Sequence, residues 1–192
     1  MFGEIAPRYD LLNHLLSLSM DRLWRWRTAR RFRGILRRPD AQVIDLCCGT
    51  GDLTLALERR ASMGAPLAST ALPRRVLGAD FAEPMLVRAS AKASRARSRT
   101  KYLAADSLSL PFADSSFDLV TAAFGFRNLA NYQRGLEEIG RVLKPGGEVG
   151  ILEFCAPRWW PMAPLYRFYF RQILPRIGAK ISGSAGAYER CV

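Results

Sequence analysis

The stretch Asp45-Leu46-Cys47-Cys48-Gly49-Thr50-Gly51-Asp52 constrains this chain more than any other, because of what flanks it. Before it, Gln42-Val43-Ile44 reads as a short buried strand; after it, Leu53 to Arg60 reads as a helix. A strand, a tight glycine turn and a helix make a cradle of the nucleotide-binding kind. Gly49 and Gly51 carry no Cβ, so the backbone there turns sharply and lets a ligand approach closely. The first free N–H groups of the helix then point at that ligand.

Spacing separates the ligand classes. A dinucleotide cradle wants a third glycine three residues after the second, and an acid about 20 residues on. Here the third position is Thr54, and the next strand-end acid is Asp80, in Arg75-Val76-Leu77-Gly78-Ala79-Asp80, further on than that pattern prefers. A phosphate-binding P-loop is excluded, since no Gly-Lys-Ser/Thr follows. The turn from Asp45 to Gly51, with a later strand-end acid, resembles motif I of S-adenosylmethionine-dependent methyltransferases.

The chain has 192 residues, enough for one domain with a sizeable core. Its hydrophobic and charged fractions are ordinary, but its net charge of +12 is not. One basic group runs through Arg22, Arg25, Arg27, Arg30, Arg31, Arg33, Arg37 and Arg38; another runs through Arg88, Lys92, Arg95, Arg97, Arg99 and Lys101. Such a balance suits nucleic acid or an anionic membrane surface. A solvated helix face is the plainer reading and the one preferred over RNA binding. The four cysteines, Cys47, Cys48, Cys155 and Cys191, contain no Cys-x-x-Cys spacing and read as reduced, packed thiols of a cytosolic protein. The amino-terminal residues lack a signal-peptide pattern, and no apolar run reaches the roughly 18 residues of a membrane span.

Residues 8–37 read as two helices with arginines between apolar positions, closed by Pro39-Asp40. Strands are expected at about 42–46, 75–80, 101–105, 117–123 and 148–154. Helices are expected after the first strand to about Met63, from Glu83-Pro84 onward, and from Tyr132 to Leu143. Lys144-Pro145-Gly146-Gly147 reads as the turn between the last helix and strand. Strands alternating with helices predict an α/β fold with a doubly wound, mainly parallel sheet and helices on both faces. Ligands of such sheets bind beyond the carboxyl ends of the strands. Those ends carry Asp45 to Gly51, Asp80, Asp106, Phe124 to Asn128, and Glu153 to Cys155. An acidic rim of this kind suits a cationic ligand with ribose hydroxyls: Asp80 can accept from a cis-diol and Asp106 from an exocyclic amine.

Further segments narrow the resemblance. Phe2 to Asn13 and Asp21-Arg22-Leu23-Trp24-Arg25 resemble the amino-terminal signature of the quinone C-methyltransferases, which comprise the demethylmenaquinone methyltransferases and the ubiquinone-pathway C-methyltransferases. Leu108 to Asp118, Phe124-Gly125-Phe126-Arg127-Asn128, Arg141 to Gly147 with Glu153-Phe154, Leu165 to Phe170 and Leu174 to Gly178 are similar to later family segments, so the likeness covers nearly the whole chain.

The fold implied by that resemblance is a Rossmann-like class I methyltransferase. The implied cofactor is S-adenosyl-L-methionine, bound by Gly49, Thr50 and Gly51 at the methionine end, Asp80 at the ribose, and Asp106 with Ser107 at the adenine. The implied reaction moves the sulfonium methyl to a ring carbon of a prenylated hydroquinone, without a metal. Arg127 is then the candidate catalytic residue, stabilising the developing phenolate or positioning a water that takes its proton. Tyr9, Asn128 and Tyr166 are the candidate substrate-binding residues. His14, the single histidine, reads as a helix-face residue, with a base role as the alternative. One methyltransferase domain is expected over 1–192: a helical substrate cap at 1–38, a cofactor-binding core at 39–155, and a lid helix with a shortened tail at 156–192. Trp159-Trp160-Pro161 and the helix near Leu165–Leu174 form that lid and supply groups suited to membrane contact. Expected partners are the prenylated quinol, a transient membrane surface and a homo-oligomeric copy, with no nucleic acid. The expected location is the cytoplasm, peripheral at the inner face of the cytoplasmic membrane.

Two departures bear on these expectations. Cys155 stands where the family signature usually has a small hydroxyl residue. Family members also continue past the segment at Ala187–Arg190 with a helix and the last sheet strands, whereas this chain stops at Val192. A sheet lacking its last strands is therefore expected, leaving strand five with an open edge and the product marginally stable or inactive. Two rivals remain: an RNA methyltransferase, which the Ala123 to Asn128 segment disfavours, and a non-catalytic adenosylmethionine-binding subunit. The Cys47-Cys48 form of the turn leans toward menaquinone over ubiquinone precursors.

Overall fold

A computed structural model describes residues 20–63 and 75–153. The chain divides into two units, one formed by residues 23–153 and the other by residues 1–22 with 154–192. The second unit lies almost wholly outside the described residues. In chain order the elements are α1 (Met20–Arg31), α2 (Arg33–Leu36), β1 (Gln42–Leu46), α3 (Asp52–Ser62), β2 (Arg75–Asp80) and α4 (Glu83–Arg95). Then follow β3 (Lys101–Ala104), β4 (Phe117–Ala123), a single 3₁₀ turn at Phe126–Asn128, α5 (Tyr132–Val142) and β5 (Leu143–Leu152).

The five strands form one sheet in the order β3-β2-β1-β4-β5, every pairing parallel. The chain winds outward from β1 through β2 to β3, then returns to lay β4 against the other side of β1. That reversal parts the loops at the carboxyl ends of β1 and β4 and creates the crevice where such sheets bind ligands. The central strands are buried on both sides, which is why they read as unbroken apolar runs. Alternate residues supply two cores. Val43 and Leu119 pack with Ala29, Phe32, Leu36, Leu53 and Leu57. Ile44, Leu46, Val120 and Ala122 pack with Ile139 and Val142 on the opposite face. Helices therefore cover both faces, as the alternation of elements predicts.

The amino end of the sheet is tied by Asp118, whose carboxylate accepts from Gln42 N–H at 2.9 Å, Lys144 Nζ at 2.7 Å and Arg38 at 2.8 Å. Burial pushes this acid up, but these donors outweigh it and hold it below its ordinary range. At β5 the structure differs from the sequence expectation. The helix stops at Val142 and the strand begins at once: Leu143 pairs with Phe117, and Glu148 with Leu119, so the intervening residues loop out of the ladder. Pro145 favours extended backbone before it, and Gly146 takes φ +78°, so the Lys-Pro-Gly-Gly segment is both a turn and an interruption within a strand. Among the described residues no helix is long and apolar enough to cross a membrane. Of the expected helical region 8–37, residues 8–19 lie outside the described part, as does the segment 64–74.

Candidate active site

The turn after β1 is built from left-handed backbone. Cys47 takes φ 50°, Gly49 φ 54° and Gly51 φ 81°. Cys48 N–H donates to Ala79 C=O at 3.0 Å, which fastens the turn to β2, and Gly51 N–H donates to Cys48 C=O at 2.9 Å. The two glycines serve different needs. A Cβ on Gly51 would run into the ring of Tyr102, so the packing of β3 requires that glycine. A Cβ on Gly49 would meet nothing within 4 Å, so Gly49 faces open space at the mouth of the crevice. Tyr102 also fills the space over Gly78.

The strand-end acids divide into three kinds. Asp45 does not reach the rim. It is 1% exposed, and its two oxygens accept from Thr54 Oγ1 at 2.7 Å and Thr121 Oγ1 at 2.8 Å. Burial pushes it up to about 7, against the pull of those hydroxyls and of the Arg25 charge. Asp80 stands at the crevice. Its Oδ2 accepts from Gly49 N–H at 2.7 Å and its Oδ1 from Ala82 N–H at 2.8 Å, so it joins the glycine turn to the β2–α4 loop. A carboxylate has about four acceptor positions, which leaves capacity for further donors. Asp106 is exposed and caps its own loop, accepting from Leu108 N–H at 2.8 Å.

Thr50 is buried, and its hydroxyl lies 2.9 Å from Lys92 Nζ, which also reaches Asp52 at 2.7 Å; Arg25 pairs with the other Asp52 oxygen at 3.3 Å. Ser107 is buried with its hydroxyl 3.6 Å from Cys47 Sγ. Both thiols of the turn are pushed up by burial, Cys47 to about 11, so they are neutral packing groups rather than nucleophiles.

Beyond β4 the chain enters Phe124 at φ 59° and closes on the glycine turn. Gly125 lies so near Cys47 that a Cβ would overlap the Cβ of that cysteine. Arg127 and Asn128 follow in the 3₁₀ turn, both exposed. Arg127 N–H donates to Glu153 Oε1 at 3.2 Å, and its Nε lies 4.0 Å from Glu153 Oε2. Tyr132 stacks on Phe126 and donates its hydroxyl to Arg127 C=O at 2.7 Å. The structure thus gathers Gly49, Thr50, Gly51, Asp80 and Ser107 around one turn, with Gly125 packed against it and Arg127 and Asn128 following in the next turn of chain. Asp106 stands one residue before Ser107, on the outside of its loop. Tyr9 and Tyr166 lie outside the described residues. Among the described residues no cluster of three or more metal-ligating side chains occurs.

Three features are not evident from the sequence. Thr54, at the place of a third glycine, supplies the hydroxyl that holds Asp45; the substitution itself is the signal. Glu153 faces Arg127 from the end of β5. Glu138 on α5 anchors the loop after β3: it accepts from Leu110 N–H at 2.8 Å and pairs with Arg141 at 2.8 Å.

The parallel sheet with its crevice at the β1–β4 reversal is the architecture of the methyltransferases. A crystal structure of a SAM-dependent methyltransferase from Aquifex aeolicus shares the fold, with a TM-score of 0.59 and 20% identity, covering 86% of this chain and 81% of that one. The model of the ubiE/COQ5 methyltransferase family matches residues 1–191, and the chain belongs to that family. It is 48% identical to a demethylmenaquinone methyltransferase of Thermus thermophilus over 98% of this chain and 80% of the relative. It is 40% identical to a ubiquinone/menaquinone biosynthesis C-methyltransferase UbiE of Geotalea daltonii, over 95% of this chain and 73% of the relative.

Proposed function

We propose that this enzyme transfers the methyl group of S-adenosyl-L-methionine to a ring carbon of a prenylated hydroquinone, with demethylmenaquinol as its acceptor. The observation that carries the reading is the closure of Gly125 on Cys47. It brings the chain that leads into Arg127 and Asn128 up to the turn where Gly49 opens onto empty space. The residues present fit the donor. The space over Gly49 admits a close backbone approach, Asp80 retains lone pairs at the rim, and no lysine or arginine is drawn toward Asp80 by a short contact among the described residues. When bound, the sulfonium supplies an already activated methyl group, so its departure needs no acid.

The chain's own residues then do the rest. The Asp80 carboxylate takes the ribose hydroxyls while keeping its bond to Gly49 N–H, so donor binding and turn geometry are coupled. Asp106 and the backbone of Ser107 hold the adenine, and the backbone of the Gly49–Gly51 turn with Thr50 holds the methionine end. Carbon methylation needs electron density on the ring, so an acceptor hydroxyl must lose or share its proton. The Arg127 guanidinium stabilises that oxygen's growing negative charge or holds the water that takes the proton, with Asn128 on a ring oxygen. Alignment of the two reactants and exclusion of water supply most of the acceleration. An acceptor with a long apolar tail places the enzyme transiently at a membrane surface. The Geotalea relative's name supports a second acceptor, the benzoquinol of the ubiquinone pathway.

Two variants test these roles. Asp80→Ala is expected to weaken donor binding in titration calorimetry by roughly tenfold to a hundredfold, the worth of charge-assisted hydrogen bonds. Arg127→Ala is expected to leave donor affinity within about twofold and to lower turnover by at least about a hundredfold, as loss of an oxyanion donor does. Unchanged turnover in Arg127→Ala would remove that residue from the mechanism. Donor binding without any turnover in the parent chain would instead favour the non-catalytic subunit.

A further inference from the structure

We infer that the outward face of α1 is a docking surface for an anionic phospholipid bilayer. One side of this helix is committed to the core through Ala29, with Phe32 just beyond its end. On the other side Leu23, Trp26, Arg27 and Arg30 recur at the spacing that lines one helical face. Trp26 is 50% exposed and Leu23 37%, and Arg30 places its guanidinium 5.3 Å from the centre of the Trp26 ring. Arg33 extends the basic stripe beyond the end of α1. Among the described residues no carboxylate forms an ion pair with Arg27, Arg30 or Arg33; Arg31, at the edge of the face, reaches Glu148 at 3.9 Å. The single acid of α1, Asp21, is buried.

Three features together select a bilayer. An indole half in water is unfavourable in a protein that keeps it there, but it suits the headgroup level of a membrane, where its ring is buried and its N–H stays wet. Arginines beside it match anionic headgroups and can extend along the ring while keeping the charge in the polar layer. The location is the third feature. Trp24, on the next side of the same turn, sets its ring 6.1 Å from that of Phe124, so this part of α1 stands beside the carboxyl end of β4. The docking face therefore borders the end of the sheet where the acceptor enters. The reason for a bilayer to be there rests on the lipid-quinol reading above, while binding to vesicles does not depend on it.

The test uses the full chain and two vesicle preparations, one of phosphatidylcholine alone and one of phosphatidylcholine with phosphatidylglycerol in equal parts. The parent is expected to float with the anionic vesicles and not with the neutral ones. The double variant Arg27→Glu/Arg30→Glu is expected to lose at least about tenfold in that binding, given the worth of each basic residue near an anionic surface. Trp26→Ala is expected to lose severalfold. If charge reversal unfolds the chain, Arg27→Gln/Arg30→Gln takes its place, with a loss of about tenfold expected. Turnover of a short-tailed soluble quinol should be unchanged in these variants, and turnover of a long-tailed quinol in anionic vesicles should fall with binding. Variants that bind vesicles as the parent does overturn the inference. So does a parent that prefers duplex or single-stranded RNA to vesicles at equal ionic strength. If the parent methylates neither quinol, the functional reading fails, and the flotation result still decides the docking surface.

Discussion

Asp45 and Glu138 are both carboxylates shut away from water, 1% and 4% exposed, and the protein holds them by opposite means. Asp45, beneath the glycine turn, receives two hydroxyls, and burial pushes it up to about 7. Glu138, on α5, receives the Arg141 guanidinium and the Leu110 N–H, and with Arg134 also nearby it is held down at about 2. One region balances charge with charge to hold a loop. The other leaves a buried acid with neutral partners directly behind the ligand crevice. Around Asp45 itself the crevice end is thus held by neutral hydrogen bonds and tight backbone turns, with ion pairs further out at Asp52 and Glu153.

The largest expected effect is on the paired side. Glu138→Ala leaves Arg141 without its main partner and the Leu110 N–H unsatisfied. A loss of about 2–3 kcal/mol in urea unfolding is expected, at the lower end for a broken buried pair because Arg141 is partly exposed. A loss below about 0.5 kcal/mol would mean that the loop after β3 is held by something else. Next comes Thr54→Val, nearly the same shape without the hydroxyl, expected to cost about 1–2 kcal/mol. That cost should be larger at about pH 8 than at about pH 5, because the lost bond matters most to the ionised acid.

The pH profile separates the two carboxylates by sign. Folding raises Asp45 above its ordinary 3.8, so its contribution is full below about pH 4 and is lost as pH rises through about 7. Folding lowers Glu138 below its ordinary 4.5, so its contribution is full above that value and is lost as pH falls toward about 2. Asp45→Asn should therefore flatten the decline in stability between about pH 4 and 7, and Glu138→Gln should leave that decline in place. The same slope in both variants would contradict the comparison.

A smaller effect on stability, with a larger one on binding, is expected of Gly49→Ala. The left-handed backbone costs about 1 kcal/mol for a residue with Cβ, and the open space adds no clash. The new methyl group stands where the donor would approach, so donor affinity should fall more than stability does. The smallest effect is expected of Glu137→Ala, whose pair with Arg134 is half exposed on both sides at 3.7 Å; the change should stay within about 0.5 kcal/mol.

The order of elements, the parallel sheet and the glycine turn are legible in the sequence because their signals are local: apolar runs, periodicity and glycines at fixed offsets. The duty of Asp45 is not, because Thr121 reaches it from a strand 76 residues away. It reads as one more rim acid until β4 is laid against β1. Glu138 looks like an ordinary helix-surface acid, since its loop partner Leu110 is 28 residues distant. The Lys-Pro-Gly-Gly segment is legible as a turn. Its inclusion in β5 depends on Phe117 finding Leu143, which no local pattern announces. Asp80 is legible as a strand-end acid, whereas its bond to Gly49 N–H requires the crossing of β2 beside β1. The Arg127–Asn128 segment carries no chemical pattern of its own and is legible through family resemblance.

The most direct measurement is transfer of labelled methyl from S-adenosyl-L-methionine to reduced demethylmenaquinone in detergent, with a demethoxy-benzoquinol run beside it. Label is expected in the naphthoquinol, abolished by Arg127→Ala while donor binding persists. Donor bound and no label in either quinol would contradict the assignment of this chain as a quinol methyltransferase.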